Sequence, residues 1–277
     1  MVVDKAEAEE WLFDLFLRRE ILSEFEEQVL ELVKLCQNRA EYDLIKHTVE
    51  RLIVLNDGQF STQVFGMAEH IKNKVCNGKE TAVVAMAWDD TPDSSQQLVQ
   101  MLKSRFTRED PIRIFNSVPA FTKKDHIDKF EKFVLVDDFA GTGKTVENRY
   151  NHLVKHAEGR RVEIEGHTCS LFGMKAAYEY LEGKEIGAHF CRKLDAGLSG
   201  HFVGAELSAR VATMKRLEQE LASVIDGKPL PSMGHGEAEA LFFRKDSNAP
   251  NSNFPIFWWP EDAKNEPRLT LMYRAEL

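Results

Sequence analysis

Two adjacent carboxylates, Asp137 and Asp138, stand just before a turn of small and hydroxyl-bearing residues, Ala140-Gly141-Thr142-Gly143-Lys144-Thr145. Paired acids repel each other, and two glycines lose extra backbone entropy on folding, so the stretch is poor scaffold. It suits a ligand with hydroxyls at one end and a phosphate at the other. Carboxylates accept from vicinal diols, and successive backbone N–H groups at a helix start form a nest for a phosphate dianion. Thr142 and Thr145 add hydroxyl donors. A ribose 5-phosphate carries both kinds of group.

The flanking residues supply the elements that would hold these groups. Phe133 to Val136 is a four-residue apolar run, a buried strand that delivers the acids at its end, and Val146 to His156 has helical spacing. Strands are also expected at Thr81 to Trp88, Ile112 to Phe115, Val162 to Phe172 and Ile186 to Cys191. Helices at Ser95 to Phe106 and Tyr178 to Leu181 alternate with them. This order predicts an α/β fold with a mostly parallel open sheet of about five strands covered by helices, in which ligands settle at the carboxyl ends of strands. Asn116 to Phe130 is either a surface loop with a short helix at Lys124 to Phe130 or a lid over the site.

Outside this core the texture differs. Residues 4–56 read as an N-terminal helical layer ended by Asn56-Asp57-Gly58, and another helix spans 60–76 up to Asn77-Gly78. Trp11, Phe13 and Phe16 put apolar groups on more than one side of the first helix, which allows an oligomer or partner surface. Helices are expected at Ala205 to Val224 and Glu237 to Arg244, followed by an irregular extension. Its segment Asn248 to Pro260 holds Phe254, Phe257, Trp258 and Trp259, and either wraps the core or walls a ligand pocket with asparagine amides as donors. The chain thus divides as 1–58, 59–204 and 205–277, with the last part packed on the core.

Composition narrows the classes. The 277 residues are 43% hydrophobic and 29% charged, enough for a sizeable core, and the net charge of −9 argues against a strong nucleic-acid surface. Cys36, Cys76, Cys169 and Cys191 lack metal-type spacing and read as reduced packing residues, so a cytoplasmic location is expected. The acidic start does not suit a signal peptide, and no apolar run approaches the ~20 residues of a membrane helix.

The stretch VLVDD-FAG-TGKT resembles the 5-phosphoribosyl 1-diphosphate (PRPP) motif of type I phosphoribosyltransferases: an apolar strand, two acids, small residues, then Thr-Gly-x-Thr. The resemblance implies that Asp137 and Asp138 hold the ribose hydroxyls and act as the catalytic and metal-binding carboxylates. It implies that Ala140, Gly141, Thr142, Gly143, Lys144 and Thr145 cradle the 5-phosphate, and that Mg²⁺ accompanies the diphosphate in a glycosyltransferase-class reaction. Gly141 stands where members acting on 6-oxopurines carry a carboxylate, which argues against that substrate class. The loop that would meet the diphosphate holds Asp89, Asp90 and Asp93, which need a bridging Mg²⁺. Asp89 and Ser94 are its candidate contacts, with Ser94 and Ser95 available as donors or helix caps. The tail, Pro250-Asn251-Ser252-Asn253-Phe254-Pro255, looks like that of phosphoribosyltransferase-like proteins from bacterial conflict or defence loci, including retron-type systems. That implies a defence partner protein.

Three other readings stay open. A triphosphatase P-loop shares Gly143-Lys144-Thr145, but Asp138 occupies the position of its first glycine. The fold could instead sense the nucleotide without turnover, or the turn could hold no ligand. His201 is a weaker candidate contact, and Arg18-Arg19 and Lys123-Lys124 read as solvated charge.

Overall fold

A computed structural model describes residues 5–89, 93–123, 127–157 and 164–275. The chain forms two compact units, one contiguous (Gly58–Leu194) and one that joins both chain ends (Met1–Asp57 with Asp195–Leu277). The three-part division expected from sequence therefore becomes two: its first segment up to Asp57 and the whole of its third share one unit and one hydrophobic core, together with residues 195–204 of its second.

The chain-end unit begins with helices α1 (Lys5–Arg18), α2 (Glu20–Ser23), α3 (Glu26–Lys34) and α4 (Arg39–Arg51). Asn38 starts α4 by accepting the Glu41 N–H at 3.1 Å. Leu44, Ile45 and Val49 recur at helical spacing and are fully buried. Arg19 ends the helix by donating to the carbonyls of Val49 (3.3 Å), Glu50 (2.9 Å) and Leu52. It is a cap at the negative end of a helix dipole and not the solvated charge expected. Trp11 is buried, while Phe13 stays exposed. Helicity stops before residue 56, because Ile53–Leu55 forms strand β1.

In the contiguous unit, α5 (Asp57–His70) starts where a stop was expected, runs on as a π-helical turn (Ile71–Cys76) and ends at Asn77 with φ 45°. Strands β2 (Thr81–Ala85), β3 (Ile112–Phe115), β4 (Lys132–Ala140), β5 (Glu165–Met174) and β6 (Ala188–Leu194) follow, all paired in parallel in the order β3-β2-β4-β5-β6. Helices α6 (Ser94–Lys103), α7 (Val118–Thr122), α8 (Lys144–Ala157) and α9 (Lys175–Gly183) connect them. This is the open parallel α/β sheet that the strand–helix alternation predicts. Phe133, Val134, Leu135 and Val136 are buried, as a strand covered on both faces requires. The short helix expected at Lys124 to Phe130 is a 3₁₀ turn at Ile127–Lys129, and α7 precedes it, capped by Ser117 accepting from the Ala120 N–H at 3.2 Å. Residues 124–126, and the expected start of β5 at 162–163, lie outside the described residues.

The chain returns to the first unit with α10 (Gly204–Glu218), a hairpin of β7 (Val224–Ile225) and β8 (Lys228–Pro229), and β9 (Phe242–Arg244). The helix expected at Glu237 to Arg244 does not form. Glu237 and Glu239 both take φ of 53°, which no right-handed helix tolerates, and β9 pairs in parallel with β1, Val54 against Phe243. In the tail, Phe254, Phe257, Trp258 and Trp259 are at most 3% exposed, and the Trp259 indole donates to the Ala222 carbonyl at 2.8 Å. The Asn253 side chain accepts from the Phe242 N–H and donates to the Pro250 carbonyl, both at 2.8 Å, so this amide holds backbone. The tail is thus buried, and Trp258, Trp259 and Asn251 also border a cavity of about 490 Å³ with His235 and Arg274. Among the described residues no helix is long and apolar enough to cross a membrane.

Candidate functional site

The strand order reverses between β2 and β4: the chain leaves β2 for one edge, then returns past it to build β4, β5 and β6. Crevices outside the carboxyl ends of strands at such a reversal are where open α/β sheets bind ligands. Asp137 and Asp138 lie at that end of β4. The strand is longer than the four apolar residues expected, because pairing with β5 continues through Asp137↔Ser170, Phe139↔Phe172 and Ala140↔Gly173. The acids therefore project from a rigid ladder and not from a loop. This also excludes the triphosphatase reading, since residues 138–140 are strand and leave too short a loop to wrap a polyphosphate.

The two carboxyls stand in an unfavourable setting. Asp137 accepts the backbone N–H of Asp138 at 2.9 Å, and Asp138 accepts the Ser94 hydroxyl at 2.7 Å. Burial, then the charges of Asp138 and Asp93, push the Asp137 carboxyl well above the usual carboxylate range. Burial raises Asp138 too, against the Ser94 hydrogen bond, which favours its charged form. Groups held this way gain from hydroxyl donors or from a hard cation with oxygen ligands, so the pair fits Mg²⁺.

Ser94 reaches Asp138 from the first turn of α6, across the β2–β4 crevice. The cap of that helix is Asp93, which accepts the Ser95 N–H at 2.8 Å and closes a capping box with Gln96. Ser95 accepts the Ala87 N–H at 3.1 Å, tying the helix start to the end of β2. Ser94 is thus free of the capping role considered for it. Asp89 is described and exposed, whereas Asp90, Thr91 and Pro92 lie outside the described residues.

Arg149 on α8 gives no sequence signal of its own, yet it belongs to this neighbourhood. Its guanidinium lies over the Trp88 ring at 4.2 Å, and its buried Nε has no hydrogen-bond partner. Desolvation lowers its basicity, while Asp93 and Asp89 act the other way, so a cation stands beside the acidic loop.

The turn after β4 meets its geometric requirement at Gly143. Its φ is 78°, and a Cβ there would sit 3.0 Å from Tyr180 Cδ1 and 3.1 Å from the Ala177 carbonyl on α9. Only glycine fits both. Helix α8 begins at Lys144, so the N–H groups of its first turn point to the turn's open side, where Lys144 and Thr145 are exposed and Gly141 and Thr142 half-exposed. Ala140, the last strand residue, is buried. Glu147 accepts the Tyr180 hydroxyl at 2.5 Å, which fixes α8 to α9 behind the turn.

The predicted residues thus gather, except that His201 belongs to the chain-end unit, its ring against His47 at 5.6 Å. Lys123 lines a separate cavity of about 600 Å³ along β3 with Lys103, Arg108 and Arg113.

Comparison with known proteins follows this geometry. A family profile described as PRTase-CE matches residues 9–274. No curated protein sequence matches the chain. Orotate phosphoribosyltransferase from Aeropyrum pernix is similar over 50% of this chain and 72% of its own at 15% identity, with a TM-score of 0.33. The xanthine-guanine-hypoxanthine phosphoribosyltransferase of Helicobacter pylori is similar over 51% and 83%, again at 15% identity and a TM-score of 0.33. Orotate phosphoribosyltransferase from Mycobacterium tuberculosis H37Rv covers 58% and 80% at 12% identity and a TM-score of 0.33. The strand order described above stands on its own pairings.

Proposed function

The chain belongs to the PRTase-CE family, a phosphoribosyltransferase-like group, and on that premise we propose that it binds PRPP in the β2–β4 crevice and transfers the phosphoribosyl group with release of diphosphate. One observation carries the reading: an acid pair fixed on the end of β4 stands beside a glycine turn that opens a helix, at the reversal of strand order.

In this reading the ribose 2- and 3-hydroxyls donate to Asp137 and Asp138, and the 5-phosphate accepts from the backbone N–H groups of Gly141 to Thr145 and the hydroxyls of Thr142 and Thr145. Lys144 adds positive charge at the mouth. The bond from the anomeric carbon to the diphosphate oxygen breaks with its electron pair leaving on diphosphate, and a nitrogen nucleophile of the acceptor forms the new bond. The two carboxylates stabilise the positive charge that develops on the ribose. Mg²⁺, held by Asp137 and Asp138, would neutralise the departing diphosphate. Asp89, Ser94 and Arg149 border that end of the ligand. The likeness of the tail extends the proposal to a bacterial defence system with a partner protein.

A second reading, nucleotide sensing without turnover, is favoured by Asp89 and Asp93 in the loop that would face the diphosphate. Calorimetric titration with PRPP, with and without Mg²⁺, tests the shared part. Binding strengthened by Mg²⁺ and weakened at least ~100-fold in the Asp137→Asn/Asp138→Asn variant is expected, since hydrogen bonds to charged groups contribute roughly 1.5–3 kcal/mol each. Equal binding by both proteins removes the ribose assignment. Diphosphate release in the presence of nucleobases then separates transfer from sensing.

A further inference from the structure

Strands β5 and β6 bring together chemically active side chains that phosphoribosyl binding leaves unused. Cys169 lies opposite His189 in the parallel register, and Cys191 follows His189 by two residues. Alternation along a strand sends all three to one face. The two sulfurs and a ring nitrogen of His189 lie within 4.8 Å of one another. Cys169 is buried, while His189 and Cys191 are half-buried, which leaves an approach from solvent. His70, the last residue of α5, stacks on His189 with ring centroids 3.5 Å apart and planes 8° from parallel, fixing the imidazole.

We propose that Cys169, His189 and Cys191 form a zinc site that clamps β5 to β6. Two thiolates and an imidazole are donors that suit Zn²⁺, whereas Mg²⁺ takes hard oxygen ligands. Zn–S bonds of about 2.3 Å and Zn–N bonds of about 2.1 Å place tetrahedral donors roughly 3.5–4 Å apart, so side-chain rotation closes the remaining gap. Three protein ligands leave the fourth position to water. Coordination takes both sulfurs as thiolates and releases their protons to solvent. The spacing conceals this set from sequence reading, because the ligands converge through strand pairing and not through a short Cys-x-x-Cys element. The site is independent of the phosphoribosyl reading, and either can fail alone.

The test uses the full chain, reduced and stripped by a chelator, titrated with Zn²⁺ against a chromophoric competitor and with Co²⁺ for its absorption spectrum. One ion per chain and a thiolate-to-cobalt charge-transfer band are expected. Cys191→Ser and His189→Asn, at half-exposed positions, weaken Zn²⁺ binding more than ~10-fold, and Cys191→Ser diminishes the band. His70→Ala, which removes only the support, weakens binding by ~10-fold. Cys36→Ala, in the other unit, leaves both readouts unchanged. The proposal is overturned if the reduced wild-type chain takes up no stoichiometric Zn²⁺, if Cys191→Ser keeps wild-type affinity and spectrum, or if the two thiols form a disulfide in air while the reduced protein ignores the ion.

Discussion

Glu239 and Glu218 in the chain-end unit are buried amid donors, whereas Asp137 and Asp138 at the end of β4 are half-buried beside each other. The Glu239 carboxylate accepts the N–H groups of Leu198 (2.8 Å) and Ser199 (2.7 Å) and the Ser199 hydroxyl (3.1 Å). Glu218 accepts the Ser232 hydroxyl at 2.5 Å and the Met233 N–H at 2.9 Å. Each of these acids organises a turn through its donors; burial still raises the Glu218 carboxyl, against the Ser232 and Met233 hydrogen bonds that favour its charged form. The aspartates are raised by burial and also by acidic neighbours, Asp93 for both and Asp138 for Asp137 as well, and no such repulsion acts on Glu218. Buried acids supplied with donors serve the fold; a pair left at a disadvantage marks where a ligand is expected to complete the structure.

This contrast can be broken by substitution. The largest effect is expected from Glu239→Ala, which strips two backbone N–H groups of their acceptor and costs about 3 kcal/mol in urea unfolding. A loss below ~1 kcal/mol would remove the structural half of the comparison. Gly143→Ala comes next, at about 1–2 kcal/mol for the left-handed backbone, with PRPP affinity falling alongside stability as the turn shifts. Asp137→Asn has the opposite sign. The native carboxyl keeps its proton to higher pH than the unfolded chain does, so wild-type stability falls as pH rises from the ordinary carboxylate range through the raised native value. The variant should therefore melt higher than wild type at neutral pH, with the difference vanishing below about pH 4; a variant that melts lower at neutral pH contradicts the burial argument. The smallest change belongs to Ser94→Ala, about 0.5–1 kcal/mol, with PRPP affinity weakened only a few-fold.

The β-strands of the sheet and the acid–glycine turn were readable because each is local: an apolar run, a pair of acids, a small-residue turn before a helix. The length of β4 was not, since only pairing with β5 shows that Asp137 to Ala140 stay in the ladder. Strand β9 fails for a similar reason. Leu241-Phe242-Phe243 suits helix or strand, and the decision comes from β1, far away in sequence. Arg19 reads as solvated charge, and Arg149 gives no signal at all, until the α4 carbonyls and the Trp88 ring that they meet are in place.

The discontinuity of the chain-end unit has a consequence during synthesis. Helices α1 to α4 and strand β1 leave the ribosome before the contiguous unit, yet the residues that complete their core, from Leu198 to Met272, follow it. Between them the whole of Gly58–Leu194 must be made, an interval on the order of ten seconds at typical translation rates. Throughout it the nascent chain carries the unpaired edge of β1 and the bare apolar faces of α3 and α4, a ready substrate for a chaperone, whereas the parallel sheet can close as soon as Leu194 has emerged.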